Sequence, residues 1–224
     1  MKIILQLVLW VVIIFLGYKL YDSVVGPVEF NEEKEIRYAK VIKKLKDIRA
    51  AEMAHQEITG TFTGSFDSLI AFIDTAQFAI TARRDTSYAD IEKNKAYGLD
   101  PQEGGYYIES IVVDTLGFTP VKDSLYQGTD RYRSMMNIPI KGVDDKIELR
   151  AGKISKNDKQ YDVFEARVPK DIILYDLDRD LLAQEKQVIS VDGVNGPVLK
   201  VGSMTEVNTS GNWPKIYDSA NEDQ

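Results

Sequence analysis

The sequence predicts an α+β protein: a single N-terminal transmembrane helix, an amphipathic stalk helix, then a mainly antiparallel, β-rich soluble domain. Three observations lead there. Ile3 to Tyr18 (IILQLVLWVVIIFLGY) carries no charge, and Gln6 is its only strongly polar side chain. Asn31 to Ile58 repeats apolar residues at helical spacing. From Gly104 onward the chain becomes short β-branched and aromatic runs separated by Gly, Asn and Asp.

The apolar segment reads as a membrane anchor. Sixteen residues at about 1.5 Å each make roughly 24 Å of helix, against a hydrocarbon core about 30 Å thick. Lys2 and Lys19 bracket it and can snorkel to the two surfaces, while Leu20 and Tyr21 extend it. Tyr18 and Tyr21 suit the headgroup level, whereas Trp10 falls in mid-span. The anchor residues singled out are Ile3, Leu7, Trp10, Ile14, Tyr18 and Lys19. A cleaved signal peptide would need a small-x-small site, and Gly17-Tyr18-Lys19 and Ser23-Val24-Val25 are poor ones. Basic residues alone (Lys19, Lys34, Arg37, Lys40) lean towards a cytoplasmic head. Interleaved Asp22, Glu29, Glu32, Glu33 and Glu35 leave that rule little to count, and the orientation expected is a head outside the cytoplasm.

Gly26-Pro27 predicts a break after the anchor, so that the head is not a rigid extension of it. Asn31 is then the expected N-cap of a helix running to about Ile58, with Glu32 and Glu33 in its first turn. Tyr38, Val41, Leu45 and Ile48 form its stripe, with Ile42 beside them. Lysines 40, 43, 44 and 46 fill the other face, and Glu33–Arg37 is an i,i+4 pair. Carrying the register forward puts Glu52 and His55 on the seam, which ends any long coiled coil. The stripe either covers the protein's own head or meets a neighbouring copy or partner, and these four residues are the candidate interaction helix.

Thr59 to Phe66 is a turn-rich hinge, and Asp67 to Ile80 reads as a second helix. The order so far, with IRAAEMAHQEITGTFTGSFDSL from Ile48 to Leu69, resembles type IV pilin-like and pseudopilin-like membrane-anchored proteins. That resemblance implies a subunit of a pilus or secretion machine. Members are cut after a glycine just before an apolar run with glutamate at its fifth position. Here Lys2 leads straight into the run and no such glutamate follows, which implies permanent anchoring.

Arg83 to Glu103 is charged and reads as a surface loop with a helical turn near 89–96. The expected strands are Tyr106–Val113, Ser134–Lys141, Lys146–Ile154, Gln160–Val168, Gln187–Val191 and Val198–Val201. Asn157-Asp158 turns a hairpin, and Asp192-Gly193 and Asn195-Gly196 mark tight turns. Ile172 to Tyr175 is short and apolar. Asp178 to Glu185 reads as a helix capped by Asp176 or Asp178. The resulting division is 1–22 anchor, 23–58 linker and amphipathic helix, 59–103 helix and charged loop, 104–215 β-rich domain and 216–224 acidic tail.

Chemistry-bearing patterns are sparse. The net charge of −7 disfavours nucleic acid as a partner. The absence of cysteine removes disulfides, thiolate catalysis and Cys-ligated zinc. His55, the single histidine, lies beside Glu52 with no nucleophile elbow nearby. Asp176, Asp178 and Asp180 have the 1-3-5 spacing of a calcium loop, but Leu181 replaces its glycine and Gln187 its glutamate. Gly104-Gly105 precedes a strand, which is the wrong order for cradling phosphate. Asn208-Thr209-Ser210 is a glycosylation sequon that carries weight only in a eukaryotic secretory pathway. Tyr106, Tyr107, Tyr126, Tyr132, Tyr161 and Tyr175 suit either an interface or an ordinary sheet. The expectation is a non-enzymatic, single-pass subunit of a bacterial cell-envelope complex, in the inner membrane with a periplasmic head. The machine would be a secretion or pilus-like system or an ion-driven envelope motor. Its partners are other membrane and envelope proteins or further copies of itself, with no cofactor and no metal. The alternative is a tethered binding protein or hydrolase acting on an envelope polymer, which requires a cleft with converging carboxylates.

Overall fold

A computed structural model describes residues 2–219. Helix α1 (Lys2–Thr59) runs unbroken for 58 residues, about 87 Å at the α-helical rise. The expected break at Gly26-Pro27 is absent, and Asn31 lies inside the helix instead of capping one. Pro27 removes one backbone donor, the bond to the Ser23 carbonyl. Proline also disfavours helix for the residue before it, through that residue's Cβ. Gly26 has no Cβ, so the dipeptide that looks like a double breaker lacks that part of the clash. Gly60 ends the helix with φ +84° and donates to the Gln56 carbonyl at 2.8 Å.

The chain divides into two units, residues 2–71 with 130–219, and residues 72–129. Helix α2 (Phe66–Thr75) begins in the first and ends in the second, so the second helix stops short of Ile80.

The second unit is a long antiparallel ribbon. Strand β1 (Gln77–Ala89) pairs with β2 (Tyr107–Pro120) and, among the described residues, with no third strand. The expected charged loop over 83–103 is therefore half strand. Its Arg83-Arg84-Asp85 run hid the alternation, and pairing with the apolar Ile111-Val112-Val113 stretch overrides its polarity. Between the strands lie α3 (Ile91–Tyr97) and a 3₁₀ turn at Pro101–Glu103. Helix α4 (Val121–Tyr126) follows β2, and Val121 N–H donates to the Ala76 carbonyl at 3.0 Å.

In the first unit a three-stranded antiparallel sheet has the order β3 (Glu148–Lys156), β4 (Lys159–Pro169), β5 (Val198–Gly202). Asn157 and Asp158 both take positive φ, 52° and 59°, which is the two-residue hairpin turn the sequence suggests. Phe164, Ala166, Val168, Leu199 and Val201 alternate on one buried face, and α1 packs on β4 and β5. The α1 side of this core is Tyr38, Val41, Ile42, Leu45, Ile48, Ala51 and Ala54. Gly202, at φ +77°, lies so close to the Phe164 carbonyl that a Cβ there would overlap it at 2.2 Å. Short helices α5 (Lys170–Ile173) and α6 (Arg179–Glu185) follow the hairpin, and α6 is capped by Asp178. Residues 134–141 hold a 3₁₀ end and one isolated bridge from Asn137 to Lys146 rather than a strand, and 187–191 is irregular. Pro139 lacks the donor a ladder needs at the first site. At the second, the Asp192–Asn195 turn engages Ser190, whose N–H donates to Asn195 Oδ1 at 2.7 Å. Helix α7 (Ile216–Ser219) occupies the start of the acidic tail, and residues 220–224 lie outside the described residues.

Candidate interaction surfaces

The first candidate is the start of α1. Ile3, Leu7, Trp10, Ile14, Tyr18 and Lys19 are all exposed, and among the described residues nothing packs against the apolar window of this helix. It is long and apolar enough to cross a membrane. Burial begins only at Val25–Pro27 and is complete at Phe30. An apolar helix that served as a soluble core would be covered by its own chain.

The second candidate, the stripe of Tyr38, Val41, Leu45 and Ile48, is not a surface. All four side chains are buried in the first unit. Of the two readings open from sequence, the stripe covers the protein's own sheet, because helix and sheet each bury one apolar face and the nearest available faces belong to the same chain.

Around that stripe is a polar clasp that the sequence did not announce. Lys170 is fully buried at the start of α5. Its three ammonium protons go to the Glu185 carbonyl (2.7 Å), Glu185 Oε1 (2.9 Å) and the Val194 carbonyl (2.8 Å). Tyr38 donates to the same Oε1 at 3.1 Å, and Lys34 to Oε2 at 3.0 Å. Burial pushes the Glu185 carboxyl up, but Lys170 and Lys34 outweigh it and hold the group below the ordinary glutamate range. Burial beside Glu185 drives the Tyr38 phenol well above its ordinary value. One turn away, Arg37 Nε donates to Glu33 at 2.7 Å, and the guanidinium grips the Asp176 carboxylate and donates to the Ile173 carbonyl at 3.0 Å. The Asp176 hydrogen bond, opposed by burial, raises Arg37 further above its ordinary value. Glu33–Arg37 is the i,i+4 pair legible in the sequence, but the contacts of Lys34, Arg37 and Tyr38 with Ile173, Asp176 and Glu185 span 136 to 151 residues, beyond the reach of any local pattern.

Glu52 is the most deeply buried acid among the described residues. It is 0% exposed; Oε2 accepts from the Thr63 N–H at 2.9 Å, while Oε1 has no hydrogen-bond partner among the described residues. Burial lifts its carboxyl to about 7, with the Thr63 bond pulling the other way. Its neighbour His55 closes the helix end: Nδ1 lies 2.6 Å from the Thr61 carbonyl, which can only accept.

The remaining sequence candidates have local roles. Asp176 holds Arg37, whereas Asp178 accepts from the N–H groups of Asp180 (3.0 Å) and Leu181 (2.9 Å), so two of the three aspartates are engaged separately. Asn208 Oδ1 accepts from the Ser210 N–H at 2.8 Å, an Asx turn over the sequon. Tyr126 and Tyr132 are buried, and Tyr106, Tyr107, Tyr161 and Tyr175 are exposed.

The surface that sequence reasoning misjudged is the β1–β2 ribbon. Ile80, Tyr88, Tyr107, Ile111, Val113, Leu116 and Phe118 are exposed, with Leu116 at 70% and Phe118 at 65%. Its tip is a built structure. Asp90 caps α3, and the buried Asn94 side chain bridges both backbone groups of Tyr106, donating to the carbonyl (2.9 Å) and accepting from the N–H (2.5 Å). A Cβ on Gly105 would sit 2.6 Å from Asn94 Oδ1, which is why glycine stands there. The signal was present: YIESIVV has strand composition, and its partner was masked by three consecutive charges.

Compared with protein-family models, with curated proteins and with solved structures, the chain matches none.

Proposed function

We propose that this chain is a single-pass membrane-anchored, non-enzymatic interaction subunit of a bacterial cell-envelope complex, with its folded part outside the cytoplasm. The observation that carries the reading is the uncovered apolar start of α1, continuous with a helix whose later turns form the core of the first unit. Such a segment is unstable in water at roughly 25 cal/mol per Å² of exposed apolar surface, and a bilayer removes that penalty. The exposed ribbon supplies a surface for other proteins. A secretion or pilus-like machine, or an ion-driven envelope motor, provides the setting in which anchor and contact surface are both used.

A tethered hydrolase would instead need carboxyls converging in a cleft. Clefts of about 310, 360 and 200 Å³ lie in the first unit; Glu33, Asp176 and Glu185, which line two of them, are paired with Arg37, Lys34 and Lys170, and neither Glu52 nor Asp47, the two acids that burial raises, lines any. Buried Glu52 and half-buried Asp47, which is paired with Arg131, therefore read as structural polarity.

The test is fractionation of cells expressing the full chain. The protein is expected in the membrane pellet, resistant to high salt and carbonate and released by mild detergent. An external protease should digest it only after the outer membrane is opened. Recovery in the supernatant without detergent would refute the anchor, and protection from protease in spheroplasts would refute the orientation.

A further inference from the structure

We infer that the β1–β2 ribbon is completed by a second copy of this chain, β1 of one copy pairing antiparallel with β2 of the next. The inference rests on the membrane-anchored reading only for the crowding of copies in one bilayer.

A lone two-stranded ribbon is marginal in water, because each strand satisfies only half of its backbone groups and neither face is covered. This ribbon is about 40 Å long at the usual strand rise. Natural edge strands are kept from pairing by charged side chains, lysine above all, and by prolines, bulges or shortness. Neither strand contains a lysine, and the only proline is Pro120 at the last position. The one register shift lies at Ile80/Thr81, which leaves Thr81–Ala89 and Tyr107–Thr115 paired one to one, with charged side chains as the only remaining feature that selects what pairs on their outer edges.

Charge selects the occupant. β1 carries Arg83, Arg84 and Asp85, a net positive edge, while β2 carries Glu109 and Asp114, both negative. Within the chain this already places Arg84 3.6 Å from Asp114. Repeating that register between copies sets Arg84 diagonal to Asp114 of the next copy. A two-fold β2–β2 pairing would set acids against acids, which is unfavourable across strands. The five charges also argue against lipid as the cover. Unlike edges make the contact head-to-tail, and a head-to-tail contact that closes is a ring without free edges. Co-anchoring raises the effective concentration of copies, so weak edge pairing suffices.

The cysteine-free sequence gives a clean test. Two differently tagged full-length copies are co-expressed, one with a cysteine on β1 (Thr81→Cys, Thr86→Cys or Ser87→Cys), the other on β2 (Glu109→Cys, Ser110→Cys or Thr115→Cys). Membranes are oxidised with copper phenanthroline, and maleimide labelling confirms that each thiol is reactive. At least one β1/β2 combination is expected to give a two-tag covalent dimer about tenfold above either cysteine alone. Dimers from a β2 cysteine alone, a disulfide-free pattern in every combination with reactive thiols, thiols shielded by lipid, or exclusive capture of a different protein would each overturn it. Sedimentation of the same samples reports on the anchor separately: membrane-bound protein without cross-links refutes the pairing alone, and soluble protein refutes the anchor.

Discussion

At the scale of single residues, the buried acids carry the pH dependence. Glu52 has its carboxyl raised to about 7 by burial, above its value in an unfolded chain. A raised acid binds its proton more tightly when folded. Its contribution is therefore fully present below about pH 4.5 and is lost as pH rises through about 7. Glu52→Gln, which keeps an acceptor for the Thr63 N–H, should raise stability at pH 8 by roughly 2 kcal/mol and lose that advantage by pH 5. Denaturant midpoints of the two proteins at both pH values check it, and parallel curves would show that Glu52 ionises normally. Lys170 acts in the opposite sense. Its removal strands a buried Glu185 carboxylate on Lys34 and Tyr38 alone, so Lys170→Met should cost about 3 kcal/mol, read as a lower midpoint with an unchanged denaturant slope.

Among elements, the β3–β4 hairpin and the β5 strand differ in how much freedom their turn residues have. Asn157 and Asp158 both sit at positive φ, where aspartate is tolerated and glycine preferred. Asp158→Gly should therefore stabilise the first unit by about 0.5 kcal/mol, small but resolvable in a melting curve. Gly202 admits no such latitude: with the Phe164 carbonyl in the way, Gly202→Ala must move β5 off β4, and a loss of more than about 3 kcal/mol is expected. Retention of the wild-type midpoint would mean that the β4–β5 contact is looser than described. Helix α1 makes the same point about proline: one missing hydrogen bond in 58 residues does not end a helix whose preceding residue is glycine.

Taken as a whole molecule, α1 serves two environments in succession. Among the described residues its turns before Val25 have no protein neighbour, and from Phe30 onward one face of it is part of the core. A chain beginning at residue 25 keeps Phe30, Arg37 and Tyr38 and should fold with an unchanged midpoint. On the proposed function, it should also move from the membrane pellet to the supernatant. A truncated chain that aggregates or melts early would show that the apolar segment supports the fold as well.

The amino-acid sequence by itself determined the pieces whose signal is local. These are the uncharged N-terminal run, the Tyr38–Ile48 stripe of a helix ending near Ile58, the β3–β4 hairpin at Asn157-Asp158 and the Asp178-capped helix α6. Each depends on neighbours within a few residues, where spacing and propensity act directly. Only the tertiary structure decided what the stripe covers, that Lys170 and Glu185 meet Tyr38, and that Arg83 to Ala89 is a strand. Those outcomes depend on groups far apart in the chain. Long-range pairing overrides local polarity there, because an apolar partner strand and a buried counter-charge offset costs that no short window of sequence records.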